Sequence, residues 1–135
     1  MSIGRRRQPD RGAAAVEFAL VLPLLLLVVF GLIDFGRMLN AQITLTEAAR
    51  EGARANALSS SVGSRVDLAS QNLGPSGTVH YTVNSDCAGG ADNAQVTTTY
   101  TFKFVTPVGG IIKLLGGSLG STTSLTGVGV MPCRG

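Results

Sequence analysis

Charge is scarce in this 135-residue chain: only 14% of its residues are Asp, Glu, Lys or Arg, and its mean hydropathy is +0.31. That balance argues against a fully soluble protein, and the length leaves room for at most one small globular domain beside an apolar helix. Histidine occurs once, at His80, and cysteine twice, at Cys87 and Cys133. These three lack the spacing of a metal site, so no metal is expected. No nucleophile–base–acid combination stands out either, so no catalytic residue is assigned and an enzyme is not expected. Gly116-Gly117-Ser118-Leu119-Gly120 lacks the Lys-Ser/Thr ending of a phosphate loop and the acidic residue of a dinucleotide site. No cofactor and no small-molecule substrate are therefore expected.

Basic charge is missing where a nucleic-acid surface would need it. The net charge of +3 is reached before residue 13, from Arg5, Arg6, Arg7 and Arg11 against Asp10. From Ala13 onward seven basic residues balance seven acidic ones. No nucleic-acid partner is expected. Instead, the arginines beside an apolar run hold that end in the cytoplasm and send the C-terminal part across the membrane.

The apolar run is the dominant feature. Phe18 to Ile33 carries no charge, and Ala13 to Ile33 makes a 21-residue span. At a rise of about 1.5 Å per residue it is long enough to cross a bilayer core. An ordinary secretory signal would have a shorter run followed by a small-residue cleavage site, and neither is evident. Helical spacing continues through Phe35, Leu39, Gln42, Ile43, Thr46 and Ala49, with Arg37, Asn40, Glu47, Glu51 and Arg54 on a polar side. One helix is predicted from about Ala13 to about Leu58, with Pro23 the expected kink. Its segment Ala48 to Ala55 is rich in small residues, which suits either close approach by another backbone or plain helix propensity.

Ser59-Ser60-Ser61 breaks the helix, and a short second helix is predicted from about Ser61 to Leu73, ended by Gly74-Pro75-Ser76-Gly77. Val79, Tyr81 and Val83 then alternate with polar residues as a half-buried strand. Val96, Thr98, Tyr100, Phe102 and Phe104 alternate with Thr97, Thr99, Thr101 and Lys103 as the clearest strand; these threonines fit strand propensity better than a catalytic site. The island Ile111-Ile112-Lys113-Leu114-Leu115 is expected to pack on the core. Ser121 to Met131 is the last strand, anchored by Leu125, Val128 and Val130. The expected fold class is α+β: a long transmembrane and amphipathic helix, a short helix and a small antiparallel sheet. The expected organisation is a basic cytoplasmic leader (1–12), a transmembrane helix (13–33), its amphipathic extension (34–58) and an exported α+β domain (59–135). On the exported side, Cys87 and Cys133 are expected to pair, the alternative being two free thiols.

An acidic residue at the start of a membrane segment costs free energy and is a functional candidate by default. Glu17 could snorkel to the surface, could favour the positive end of the helix dipole, or could serve in assembly. Its position five residues after Gly12, where the chain turns from polar to apolar, resembles the processing site of type IV prepilins. In that case the freed α-amino group of Ala13 would pair with Glu17 of a neighbouring subunit and fix the register between them. Asp34, at the other end of the span, is expected to reach interfacial water.

Three blocks fall in order: Arg11-Gly12-Ala13-Ala14-Ala15-Val16-Glu17-Phe18-Ala19-Leu20-Val21-Leu22-Pro23, then Ile33-Asp34-Phe35-Gly36-Arg37, then Ala48-Ala49-Arg50-Glu51-Gly52-Ala53-Arg54. Together they resemble TadE-like proteins, minor pilins or pseudopilins of the tight-adherence (Tad/Flp) type IV pilus system. The resemblance covers roughly residues 11–55. It implies cleavage between Gly12 and Ala13 by an aspartic prepilin peptidase, with Glu17 as the recognition residue and Glu17, Phe18, Pro23 and Asp34 as assembly and register residues. It also implies, as partners, the prepilin peptidase, other pilins, the pilus assembly machinery and the cytoplasmic membrane, with possible incorporation into an extracellular pilus and a role in adhesion. Glu17-Phe18 stands where major pilins of that system have Glu-Tyr, and the C-terminal part is far larger than theirs; both point to a minor subunit. The competing expectation is an uncleaved, membrane-anchored envelope protein whose exported domain binds a partner or surface.

Overall fold

A 47-residue helix, α1 (Arg11–Ala57), forms the axis of the computed structural model, which describes residues 11–74, 78–107, 110, 113–114, 116–117 and 122–133. The helix runs about 70 Å at 1.5 Å per residue and continues through Pro23 without a break. It begins two residues before the predicted start, so Gly12 lies inside its first turn. Its C-terminus closes where the serine run begins. Ser60 N–H donates to the Ala55 carbonyl (2.7 Å) and Ser59 N–H to that of Asn56 (3.0 Å), while Ser59 itself is left-handed at φ 52°. These are the two hydrogen bonds of a Schellman stop, made with serine in the place glycine usually takes.

Helix α2 (Val62–Ala69) follows, shorter than predicted because the chain tightens into a 3-10 turn at Gln71–Leu73. Ser61 stands at its N-cap, but the side chain makes no capping hydrogen bond. Three strands complete the fold: β1 (His80–Ser85), β2 (Asn93–Lys103) and β3 (Thr122–Pro132), antiparallel in the order β1-β2-β3. The α+β arrangement is as expected.

The sheet lies on the C-terminal half of α1, with α2 on the same helix beside it. Leu45, Ala48, Val66 and Val79 form the buried centre, and Val62, Ala69, Leu73, Tyr100 and Leu125 close it. On β2 the expected inward residues Val96, Thr98 and Phe102 are buried. The Thr98 hydroxyl donates to the Leu45 carbonyl of the helix (2.9 Å), so this buried polar group is satisfied.

On β3 the expectation fails by one residue. Val128 and Val130 point outward, 47% and 57% exposed, and only Leu125 of the three proposed anchors turns toward the core. Gly127 and Gly129 take the inward positions. The reason is steric. A Cβ on Gly127 would lie 2.6 Å from the Leu45 carbonyl, and one on Gly129 would run into the Ala49 carbonyl. The strand sits almost backbone to backbone on the helix, and only the parity that turns glycine inward permits it. Two residues of β3 pass four residues of α1, from Leu45 to Ala49, so strand and helix run side by side in the same direction.

Two further expectations change. β1 is exposed along most of its length rather than half-buried, because eight-residue α2 covers little of this edge strand; Tyr81 reaches it at Gly63. Leu114, expected in the core, is 88% exposed. Ile111, Ile112 and Leu115 of the same island lie outside the described residues, as do leader residues 1–10, turn residues 75–77 and Ser121.

Candidate functional site

The candidate residues fall on two halves of one helix. From Gly12 to Ile33, no residue of α1 is buried among the described residues. Ala13 and Glu17 are exposed, Phe18 is 62% exposed, and Pro23 and the leucines that follow are mostly open. Gly12 and Gly31 have no atom outside the helix near them. Within α1 is a stretch long and apolar enough to cross a membrane, with none of it buried by the rest of the protein. Among the described residues, Gly12, Ala13, Glu17, Phe18 and Pro23 are all exposed on this bare half. Its surface is therefore open to lipid or to neighbouring chains.

At Asp34 the environment changes within one turn. Asp34 was expected in interfacial water, but it is 3% exposed and bound to the segment after β2. Val105 N–H donates to Oδ1 (3.3 Å) and Thr106 N–H to Oδ2 (3.2 Å), and the Thr106 hydroxyl also donates to Oδ2. Arg37, one turn on, reaches Oδ1 at 3.4 Å. Burial pushes the carboxyl pKa up, but the donors of Thr106 and Val105, with Arg37, outweigh it and hold it below the ordinary 3.8. The Arg37 guanidinium also lies 5.4 Å over the Phe102 ring, which meets Phe104 edge to face. Asp34 is thus the latch that fastens the domain to the helix where the uncharged run ends.

A second latch closes the other end. Asn56 Nδ2 donates to Asp86 (3.0 Å), and Cys87 N–H donates back to Asn56 Oδ1 (3.1 Å). Cys87 is joined to Cys133 by a disulfide with a Cα–Cα distance of 5.5 Å, as expected. The bond ties the end of β3 to the turn before β2, and Cys133 N–H donates to the Asp92 carbonyl beside it (2.9 Å). Between the latches, Gln42 donates to the Thr126 carbonyl (2.8 Å) and Asn72 to the Thr44 hydroxyl (3.0 Å).

The small residues of Ala48 to Ala55 now have a defined role. Ala48, Ala49 and Ala53 are wholly buried beneath the chain's own sheet and α2. Gly52 is gripped between Val66 and Val96, where an added Cβ would lie 2.9 Å from the Val66 methyl. Close backbone approach does occur along this stripe, but within the chain rather than to another helix.

Sequence reasoning missed Thr106, Val105, Asn56, Gly127 and Gly129. The first three lie 72, 71 and 30 residues from the groups they bind, beyond any local pattern. The glycine pair carried the one usable signal, alternating with valine in Gly127-Val128-Gly129-Val130.

A family model for TadE-like proteins matches residues 12–54. This segment is TadE-like. The match runs from the glycine before the apolar span through Asp34 to the end of the alanine stripe, so it covers both halves of α1. The match suggests a protein associated with a Tad pilus. The sheet domain lies outside the TadE-like segment. No curated protein and no solved structure matches the chain. The apolar helix at the N-terminal end of the TadE-like segment suggests a membrane anchor.

Proposed function

We propose that the protein is a minor pilin or pseudopilin of a Tad-type pilus, a structural subunit processed after Gly12 and assembled through its N-terminal helix. The observation that carries this reading is the bare half of α1. An apolar helix about 31 Å long, open on every side and headed by Gly12 and Glu17, has no role inside the chain. In the membrane, residues 13–33 span the bilayer, and residues 1–12 form the cytoplasmic leader. Residues 34–58 carry the domain of residues 59–135 on the exported side, where oxidising conditions suit the Cys87–Cys133 bond.

Cleavage by a prepilin peptidase would free the Ala13 amine. Glu17 on a neighbouring subunit is the anion that neutralises it once the assembly machinery moves the helix from lipid into the apolar centre of a fibre. Phe18 and Pro23 set the shape of that helix face. Asp34 holds the subunit's own domain in place at the end of the span.

Intact mass and N-terminal peptide mapping of the protein from its own cells test this reading. A chain beginning at Ala13 is the expected result. A chain that keeps Arg5-Arg6-Arg7 would overturn it in favour of an uncleaved, membrane-anchored envelope protein whose domain binds a partner or surface.

A further inference from the structure

Between the two latches, the sheet does not meet the helix evenly. Beside the Asp34 latch, between the helix and the Asn72 and Phe102 side of the domain, lies an open groove of about 450 Å³. Leu32 and Ile33 form its lower wall, Arg37 and Asn40 the helix wall above, and Asn72 and Phe102 the domain side. Over two helical turns Arg37, Asn40 and Asn72 thus stand above Leu32 and Ile33, with Ala41, Leu73 and Tyr100 also in the wall. Leu32 and Ile33 close the uncharged run, so the groove opens where the hydrocarbon would end if residues 13–33 span the bilayer.

Arg37 lies four residues beyond Ile33, about 6 Å higher along the axis. The headgroup zone on each face of a bilayer is roughly 5–7 Å deep, which puts the guanidinium at the level of lipid phosphates. It is held there rather than free to wander, by the Asp34 contact and by the Phe102 ring, with 47% of the side chain exposed. Asp34 pairs with one guanidinium nitrogen, Nη1, at 3.4 Å, and close to half of the Arg37 side chain stays exposed for a second anion. That carboxylate is buried against Val105 and Thr106 and does not line the groove.

We infer that this groove binds one anionic phospholipid of the exported-side leaflet, with its phosphate on Arg37 and the Asn40 and Asn72 amides and its acyl chain against Leu32 and Ile33. The lipid fills the gap between domain and membrane and sets the height of the domain above it. The inference rests on the transmembrane reading of residues 13–33 but not on cleavage or pilus assembly.

The test uses the full chain in nanodiscs of mixed phosphatidylcholine and phosphatidylglycerol, with retained lipid counted by native mass spectrometry. The wild type should keep one phosphatidylglycerol in preference to phosphatidylcholine. Arg37→Gln should lower that retention about fivefold, the effect of one arginine at a membrane surface, and Arg65→Gln on exposed α2 should leave it unchanged. Asn40→Asp is the second variant: it places a carboxylate one helical turn from Arg37, where it repels the phosphate and competes with it for the guanidinium, and it should lose the lipid as well. Equal retention of the two lipids by the wild type, or retention indifferent to both groove variants, overturns the proposal. So does complete displacement by inorganic phosphate, which would make the groove a simple anion site. Alkaline extraction of native membranes separates the two layers: release of the chain would sink the transmembrane reading itself, whereas an integrated chain with indifferent lipid retention sinks only the groove.

Discussion

The two halves of α1 have similar helical geometry and opposite surroundings. From Leu20 to Ile33 the residues are mostly large, apolar and open; from Asp34 to Ala57 the buried face includes Ala41, Leu45, Ala48, Ala49 and Ala53. Bulk on the first half gives the helix surface to offer to lipid or to other subunits. Smallness on the second half lets a sheet close onto the helix within backbone distance. A single helix can therefore be anchor and scaffold at once, provided the change in side-chain size is sharp. Asp34 marks that change, and its hydrogen bonds to Val105 and Thr106 place the edge of the domain there.

The contrast breaks most severely at Gly129. Gly129→Val puts a branched side chain into the Ala49 carbonyl, and overpacking against backbone that cannot yield should cost about 3 kcal/mol or more. In detergent, the variant should lose protease resistance in residues 59–135 while α1 keeps its helical circular dichroism. Val128→Ala, on the outward face, should change stability by less than about 0.5 kcal/mol, which would fix the parity of β3 independently.

Next in size is the far latch. Replacing both Cys87 and Cys133 by serine reopens a connection of 46 residues and should lower stability by about 2–4 kcal/mol in chemical unfolding. Loss at this end should leave the Asp34 end closed, visible as continued amide protection of Val105 and Thr106.

Asp34→Ala should cost about 1–3 kcal/mol, because two backbone N–H groups and a hydroxyl lose their acceptor. The same latch has a pH signature. The folded-state carboxyl is held below 3.8, so its stabilisation is complete above about pH 4 and disappears as pH falls through the lowered folded value. Thermal unfolding measured between neutral and strongly acid pH should show that acid-side loss in the wild type. Asp34→Asn should flatten it. The smallest effect belongs to the bare half: Leu25→Ala should leave domain stability within about 0.5 kcal/mol of wild type, since Leu25 is exposed and takes no part in the buried core.

Local pattern made some of this legible and packing hid the rest. An uncharged run followed by helical spacing is enough to read α1, and the alternation from Val96 to Phe102 gives β2 its inward face without a structure. The same alternation misleads on β3. Val128 and Val130 look like anchors because burial is usually apolar, yet the partner surface is a helix backbone, and what it selects is absence of a side chain at Gly127 and Gly129. The Ala48–Ala55 stripe announced close approach but not whose backbone would approach. Asp34 was visible as an anomaly beside an apolar run, while its partners, some 70 residues away in an irregular segment, left no mark near it. Glu17 remains the reverse case: its spacing from Gly12 is plain in the sequence, and its partner belongs to another chain in the function proposed here.

The division of α1 is tested most directly with a diazirine leucine analogue placed at Leu45 or at Leu25 of the full chain in membranes, followed by irradiation and peptide mapping. The analogue is close to isosteric, so the buried site tolerates it. From Leu45, cross-links should stay within the chain and land on the β2 and β3 peptides that contain Thr98 and Gly127. From Leu25 they should go to lipid or to another chain. Cross-links from Leu45 to a second polypeptide would contradict the account, because the stripe assigned to the chain's own sheet would then be a surface between subunits.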